Sequence, residues 1–338
     1  MRRRAVTLRD VAEEAGVSVS TVSRVLRGEP GWIGENTASA VREAAERLGY
    51  HRDLRARSLR TGTSDLVGVI GAHLREDVAA MMVDEISHYV CENGLRSAFY
   101  SASEDPDREA DLVRELISLR AVGIIVISYF SPDLGDALQS AIDHGIAVVS
   151  LEVPIPPGVD GVAIDYHASM RLAVEHLTDL GHREIGLLTI DSGVQSVHHR
   201  TLAWQEGLEE VGAVADEDLI EIARPSLEGG YEGMQRLLSR RPSLTAVASM
   251  SDRLAYGALA AAHNMGRKVP EDLSLTGFDD LHYSAFTQPP LSTVRIPWAE
   301  IARDGVQLLY SRIEARVEEP QVTRKVGEFV ARSSTAAV

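Results

Sequence analysis

The chain has 338 residues, too many for one ordinary domain and enough for two or three that each bury a core. Its single cysteine, Cys91, excludes an intrachain disulfide and a cysteine-only zinc site, and it suits a reducing cytoplasm. A net charge of −16 argues against a polyanionic partner until its distribution is read: residues 1–62 hold 12 arginines against 8 acidic residues, a local +4, and the remainder carries −20.

The basic start, MRRRAVTLRD, is followed by no apolar run, so it does not read as a secretory leader. The longest apolar run, around 122–127, is far too short to span a bilayer. Residues 7–28, TLRDVAEEAGVSVSTVSRVLRG, predict two short helices with a tight turn between them. Thr7 caps the first, with Asp10 three residues on completing a capping box. Leu8, Val11, Ala12 and Ala15 recur at helical spacing. Gly16 ends this helix, because glycine takes left-handed angles without a Cβ penalty. Ser18 caps the second helix, whose buried stripe is Val22, Val25 and Leu26. Its other face carries Val19, Ser20, Ser23 and Arg24. A short polar helix held against another is a shape that enters the major groove of DNA. A third helix is predicted from about Thr37 to Gly49, with Val41, Ala44, Ala45 and Leu48 facing inward. Residues 51–62, HRDLRARSLRTG, are too polar to fold alone.

From residue 65 the pattern becomes alternating strands and helices. β-rich runs appear at 66–71, 96–100, 122–128 and 146–151, then at 184–190, 244–249 and 273–278. Such alternation predicts parallel sheets with helices on both faces, in two lobes. The tail has no leucine heptads, so it encodes no coiled coil. No metal-binding histidine pattern, P-loop, dinucleotide fingerprint or nucleophile elbow appears, so no cofactor and no enzyme chemistry is expected.

The run T-L-x-D-V-A-x-x-A-G-V-S-x-x-T-V-S-R-V-L, unbroken here, resembles the DNA-binding headpiece of the LacI/GalR family of bacterial transcription regulators. Further landmarks are HLTDLGHREIGLL (176–188), Arg200 followed by Trp204, SDRLAYG (251–257), VPEDLSLTGFDD (269–280) and PPLSTVR (289–295). The resemblance implies an all-α helix-turn-helix headpiece followed by a two-lobed, doubly wound α/β core of the type I periplasmic-binding-protein-like fold. The expected organisation is a headpiece at 1–50 and a hinge helix or linker at 51–62. The first core lobe would comprise 63–162 and 291–320, and the second 163–290 and 321–338.

The resemblance also implies roles. Val19 and Ser20 would select bases, with Arg24 contacting either guanine or phosphate. Thr7, Ser18, Thr21, Ser23, Thr37, Tyr50, Arg57 and Arg60 would meet phosphates, although Thr7 and Ser18 serve equally as caps. Leu59 would wedge into the minor groove or make hinge-to-hinge contact only. Tyr50, Ala56, Arg57, Ser58, Leu59 and Arg60 match the family's hinge, while Arg52 and Asp53 replace its usual Pro and Asn. Arg200 and Asp279 fall on effector-binding positions, a fork of donors opposite an acceptor, which suits a sugar or another polyol. Their alternative is a structural ion pair. Glu152, Ser251 and Asp252 would line the same cleft, or Asp252 would cap a helix. Tyr129, Phe130 and Trp298 would offer a face to a sugar ring or serve packing alone.

The function implied is an effector-controlled repressor, a cytoplasmic homodimer on near-palindromic operator DNA, with no metal and no membrane contact. Two alternatives stay open: a DNA-binding regulator whose core no longer binds ligand, and a cytoplasmic solute-binding protein.

Overall fold

Three helices open the chain: α1 (Leu8–Ala15), α2 (Val19–Arg27) and α3 (Glu35–Leu48). The computed structural model describes residues 6–27, 33–50, 64–71, 77–102, 105–127, 134–151, 157–190, 195–213, 215–316 and 319–338. The helices share a small core of Val11, Ala12, Val22, Val41, Ala44 and Ala45, all buried. The capping box forms: the Asp10 amide donates to Thr7 Oγ1 at 3.4 Å and the Thr7 amide donates to Asp10 Oδ2 at 2.7 Å. Gly16 and Gly49 close α1 and α3 at φ of 65° and 63°, where a Cβ would be strained. Residues 1–64 form one compact unit and 65–338 another.

The second unit holds two six-stranded sheets. The first lobe runs β1 (Leu66–Gly71), α4 (Asp77–Glu92), β2 (Arg96–Ser101), α5 (Pro106–Ser118), β3 (Gly123–Ile127), α6 (Leu134–Asp143), β4 (Ala147–Leu151) and β5 (Asp160–Ile164). The second runs α7 (Tyr166–Asp179), β6 (Ile185–Ile190), α8 (Gln195–Glu210), β7 (Ile220–Ala223), α9 (Leu227–Arg240), β8 (Ala246–Ser249), α10 (Asp252–Asn264), β9 (Ser274–Asp279) and β10 (Ser292–Arg295). The chain then adds α11 (Trp298–Ile313) and β11 (Val322–Lys325) to the first lobe, and β12 (Glu328–Val330) to the second. The sheet orders are β11-β5-β4-β3-β1-β2 and β12-β10-β9-β8-β6-β7, so one topology occurs twice. All pairings are parallel except β10 with β12. Their central strands are buried on both faces, which their aliphatic runs require.

The observed lobe boundaries differ from the expected ones at three points. β5 carries the first lobe to Ile164, and the chain crosses at Asp165. β10, expected in the first lobe with 291–320, pairs with β9, and Ser292–Val294 are buried in the second sheet. β11, expected in the second lobe with 321–338, pairs with β5. Asp160 pins it there: its carboxylate accepts from the Gln321 amide at 2.7 Å and from Arg312 of α11 at 2.8 and 3.0 Å. Within the second lobe α9 and α10 pack backbone to backbone. A Cβ on Gly257 would lie 2.0 Å from the Leu227 carbonyl oxygen, so only glycine permits this approach.

Candidate functional site

The expected site residues that are described fall into two sets, one in each compact unit. In the first, Ser18 caps α2, accepting from the Thr21 amide at 3.1 Å, and its hydroxyl lies 2.7 Å from that of Ser20 and 2.8 Å from that of Thr21. Val22, on the inner face, is fully buried, and this fixes which face looks out. Ser20 and Arg24 stand one turn apart on that outer face, both exposed, beside Val19 at 43% exposure. Arg24 has no carboxylate partner among the described residues. An exposed valine at the start of a helix, next to hydroxyls and an uncompensated guanidinium, suits contact with a methyl group and an anionic surface better than solvent alone. Thr7 is exposed, while Thr21, Ser23, Thr37 and Tyr50 are half-buried. Thr37 lies in the first turn of α3, which starts after Gly34 without a side-chain cap. Arg57, Leu59, Arg60 and Glu152 lie outside the described residues, as do Tyr129 and Phe130.

The second set sits beyond the carboxyl ends of β6, β8 and β9, where doubly wound folds bind ligands. Arg200 extends from α8, which is fixed against β6 by the buried Trp204, whose Nε1 donates to the Ile185 carbonyl at 3.2 Å. Arg200 Nη1 donates to the carbonyl of Met250, just past β8, at 2.6 Å, and Nε donates to Ser196 O at 3.1 Å. The guanidinium carbon lies 4.9 Å from the ring centre of Tyr166 and 5.1 Å from that of Phe278. Those rings stack on each other at 6.1 Å, and the guanidinium packs against both. Its Nη2 has no hydrogen-bond partner among the described residues.

Asp279 follows Phe278 and ends β9. It takes a φ of +109°, and Asp280 follows at +57°, two non-glycine residues in a region that costs energy. The turn is held by Asp280, whose carboxylate accepts from Arg295 at 2.7 Å and Arg332 at 2.6 Å. Asp280 thereby anchors the strained turn, and Asp279 is left half-buried at the strand end.

Asp252 departs from both of its expected roles, lining the cleft and capping a helix. The Asp252 side chain is fully buried, so it faces no cleft. Its carboxylate accepts from the Leu281 amide at 2.7 Å, Ser284 at 2.5 Å and Thr293 at 2.6 Å. Burial pushes this carboxyl up to about 6, although the three donors pull the other way. The cap of α10 is Ser251, which accepts from the Leu254 amide at 3.3 Å. Asp252 therefore serves the scaffold, tying the turn after β8 to the turn after β9 and to β10, while Ser251 stays half-buried just past the end of β8. Trp298 is also buried, with its indole N–H unpartnered among the described residues.

Sequence reasoning did not single out Tyr166, Phe278 or Asp280. Tyr166 and Phe278 come together from 112 positions apart, and each reads locally as an ordinary core aromatic. Among the described residues no group of His, Cys, Asp and Glu is placed to hold a metal, and no helix is long and apolar enough to cross a membrane.

Comparison with known proteins covers both compact units. Residues 7–53 match the model of bacterial regulatory proteins of the lacI family, and residues 174–335 match a periplasmic binding protein-like domain. The HTH-type transcriptional regulator GalR of Escherichia coli is 30% identical over 319 residues, covering 94% of this chain and 92% of the relative. MalR of Streptomyces coelicolor is 33% identical over 343 aligned residues, covering 97% and 96%. The structure of the lac repressor dimer bound to operator and the anti-inducer ONPF is similar with a TM-score of 0.85 at 25% identity, covering 99% of this chain and 100% of that one. A transcriptional regulator CelR–cellobiose complex is similar with a TM-score of 0.74 at 26% identity, covering 97% and 99%. These relatives are transcription regulators and not enzymes. The helix-turn-helix headpiece, the twin parallel sheets and the full-length similarity together make this chain a member of the LacI/GalR family of bacterial transcription regulators.

Proposed function

We propose that this regulator is a cytoplasmic repressor, acting as a homodimer on a near-palindromic operator and released or engaged by a small polyol, a sugar or sugar derivative, held between the core lobes. The observation that carries the reading is the placement of Arg200. Its guanidinium lies against the stacked rings of Tyr166 and Phe278, Nη1 is spent on Met250 and Nε on Ser196, and Asp279 follows Phe278 in the chain. A fixed donor beside a carboxylate acceptor matches the alternating donors and acceptors of vicinal hydroxyls.

On the DNA side, Val19 and Ser20 read bases and Arg24 takes guanine. Thr7, Ser18, Thr21, Ser23, Thr37 and Tyr50 grip phosphates, helped by Arg57 and Arg60, and Leu59 wedges the minor groove. Glu152 joins the effector cleft from the first lobe. Effector binding changes the opening between lobes, and with it the spacing at which two headpieces meet two half-sites.

The test has two arms. Selection from random duplexes should return a near-palindromic site, bound with a salt dependence that reflects several phosphate contacts. A melting-temperature screen against mono- and disaccharides should reveal a stabilising sugar that also changes affinity for that site. A recovered operator with no responding sugar would leave a DNA-binding regulator and remove the sugar assignment.

A further inference from the structure

Arg253 stands in the first turn of α10, where unpaired amide groups make the helix end positive and a cation is disfavoured. It does not turn to the carboxylate beside it, because Asp252 is committed to Leu281, Ser284 and Thr293. Instead it crosses to the first lobe, where Nη2 donates to Oδ2 of Asp77 at 3.0 Å. Asp77 is the first residue of α4, a favourable place for a carboxylate. Among the described residues this is the one ion pair that joins the two lobes.

Both helices start at the carboxyl ends of parallel strands, α4 after β1 and α10 after β8. The turn that carries Arg253 is also the turn that receives Arg200. Three residues ahead of Arg253, the Met250 carbonyl accepts from Arg200, and one residue ahead, Asp252 reaches Leu281, two residues past Asp279. A displacement of Arg200 or of the Asp279–Asp280 turn is therefore passed to Arg253 through two hydrogen bonds and a short stretch of backbone.

We propose that Arg253 and Asp77 form a latch across the cleft, which biases the core toward its closed form and is set by whatever engages Arg200 and Asp279. The ligand arm rests on the effector reading above, whereas the latch itself belongs to the ligand-free core. Its exposure suits the task. The Asp77 side chain is 50% exposed and that of Arg253 is 23% exposed, so the pair shifts an equilibrium by roughly 2–5-fold, which a bound ligand can overturn.

The full-length protein allows a direct test. Spin labels on the exposed native Cys91 of α4 and on an introduced Ser239→Cys at the exposed end of α9 report the distance between lobes by double electron–electron resonance. Doubly labelled chains are diluted with unlabelled chains so that only distances within one chain are read. Asp77→Asn and Arg253→Gln should each move about 2–5-fold more of the population to the longer distance. The exchanged pair, Asp77→Arg with Arg253→Asp, should restore the distribution of the parent. High salt should mimic the single variants in the parent and have less effect in them. Unchanged distances in both single variants, or an exchanged pair that stays open, would overturn the latch. The measurement needs neither DNA nor sugar, so failure of the effector reading leaves its outcome untouched.

Discussion

The headpiece and the second core lobe hold their candidate site residues in opposite ways. The headpiece displays them: Val19, Ser20 and Arg24 project from a helix whose core is six small aliphatic residues, and little but the helix itself holds them. The second lobe embeds them: Arg200 packs against two stacked rings and donates to two carbonyls, on a scaffold where the buried Asp252 accepts from three donors. A surface that reads a stiff, ordered polymer needs correct exposure and spacing. A site that must sense a small molecule and pass the event on needs charges wired into the backbone of several strands.

The sharpest break of that contrast is Asp252→Ala. It strands the Leu281 amide and the Thr293 hydroxyl in a sealed site and leaves Ser284 with Tyr256 as its hydroxyl partner, and should cost the core roughly 2–5 kcal/mol, read as a fall in its melting transition. A core that melts unchanged would mean that the network does not hold the two turns together.

Asp252→Asn tests the same site through pH. The folded carboxyl binds its proton more tightly than the unfolded one, with a pKa near 6 against 3.8. The stability this contributes is therefore full below about pH 4 and is lost as pH rises through about 6, on the order of 3 kcal/mol. The asparagine variant lacks this titration. Relative to the parent it should gain stability between pH 4 and 7, as followed by denaturant midpoints. A parallel pair of pH profiles would show that the buried carboxyl does not titrate in this range.

On the exposed side, Arg24→Ala should leave both melting transitions in place. It should weaken operator binding by about 1–3 kcal/mol and relax preference at one position per half-site. Equal losses on operator and on random DNA would reduce Arg24 to a phosphate contact. The smallest effect is expected for Thr7→Ala, which removes one capping bond of α1 and should lower headpiece stability by about 1 kcal/mol, visible as faster amide exchange in α1.

How much of this was legible in the sequence follows the same division. Caps, turns and helical periodicity are local, so α1, α2 and α3 and their outward faces could be read directly. Seven of the strands announced themselves as aliphatic runs. β7, β11 and β12 did not, because they are short edge strands with exposed positions whose pairing is decided by the sheet they dock on, and β5 did not, because its five residues open on Asp-Gly although all are buried in the sheet interior. β10 was placed in the wrong lobe for a related reason. Nothing in S-T-V-R tells which of two equivalent sheets it joins, and only the bonds to β9 and to Asp252 settle it. The site was half legible. Arg200 and Asp279 stand out in the sequence, but Asp252 reads as lining the cleft or capping a helix and does neither, since a carboxylate after a strand looks the same whether it faces ligand, helix end or core. The difference lies in Thr293, 41 residues further along the chain.

The central claim is that one unit grips DNA while the other senses a ligand through Arg200, and operator binding by Arg200→Ala with and without the responding sugar tests it most directly. The variant should melt close to the parent, bind operator with near-parental affinity, and no longer change that affinity when sugar is added. A variant that still responds to sugar, or one that loses operator binding together with a large fall in melting temperature, would make Arg200 a structural residue and contradict the account.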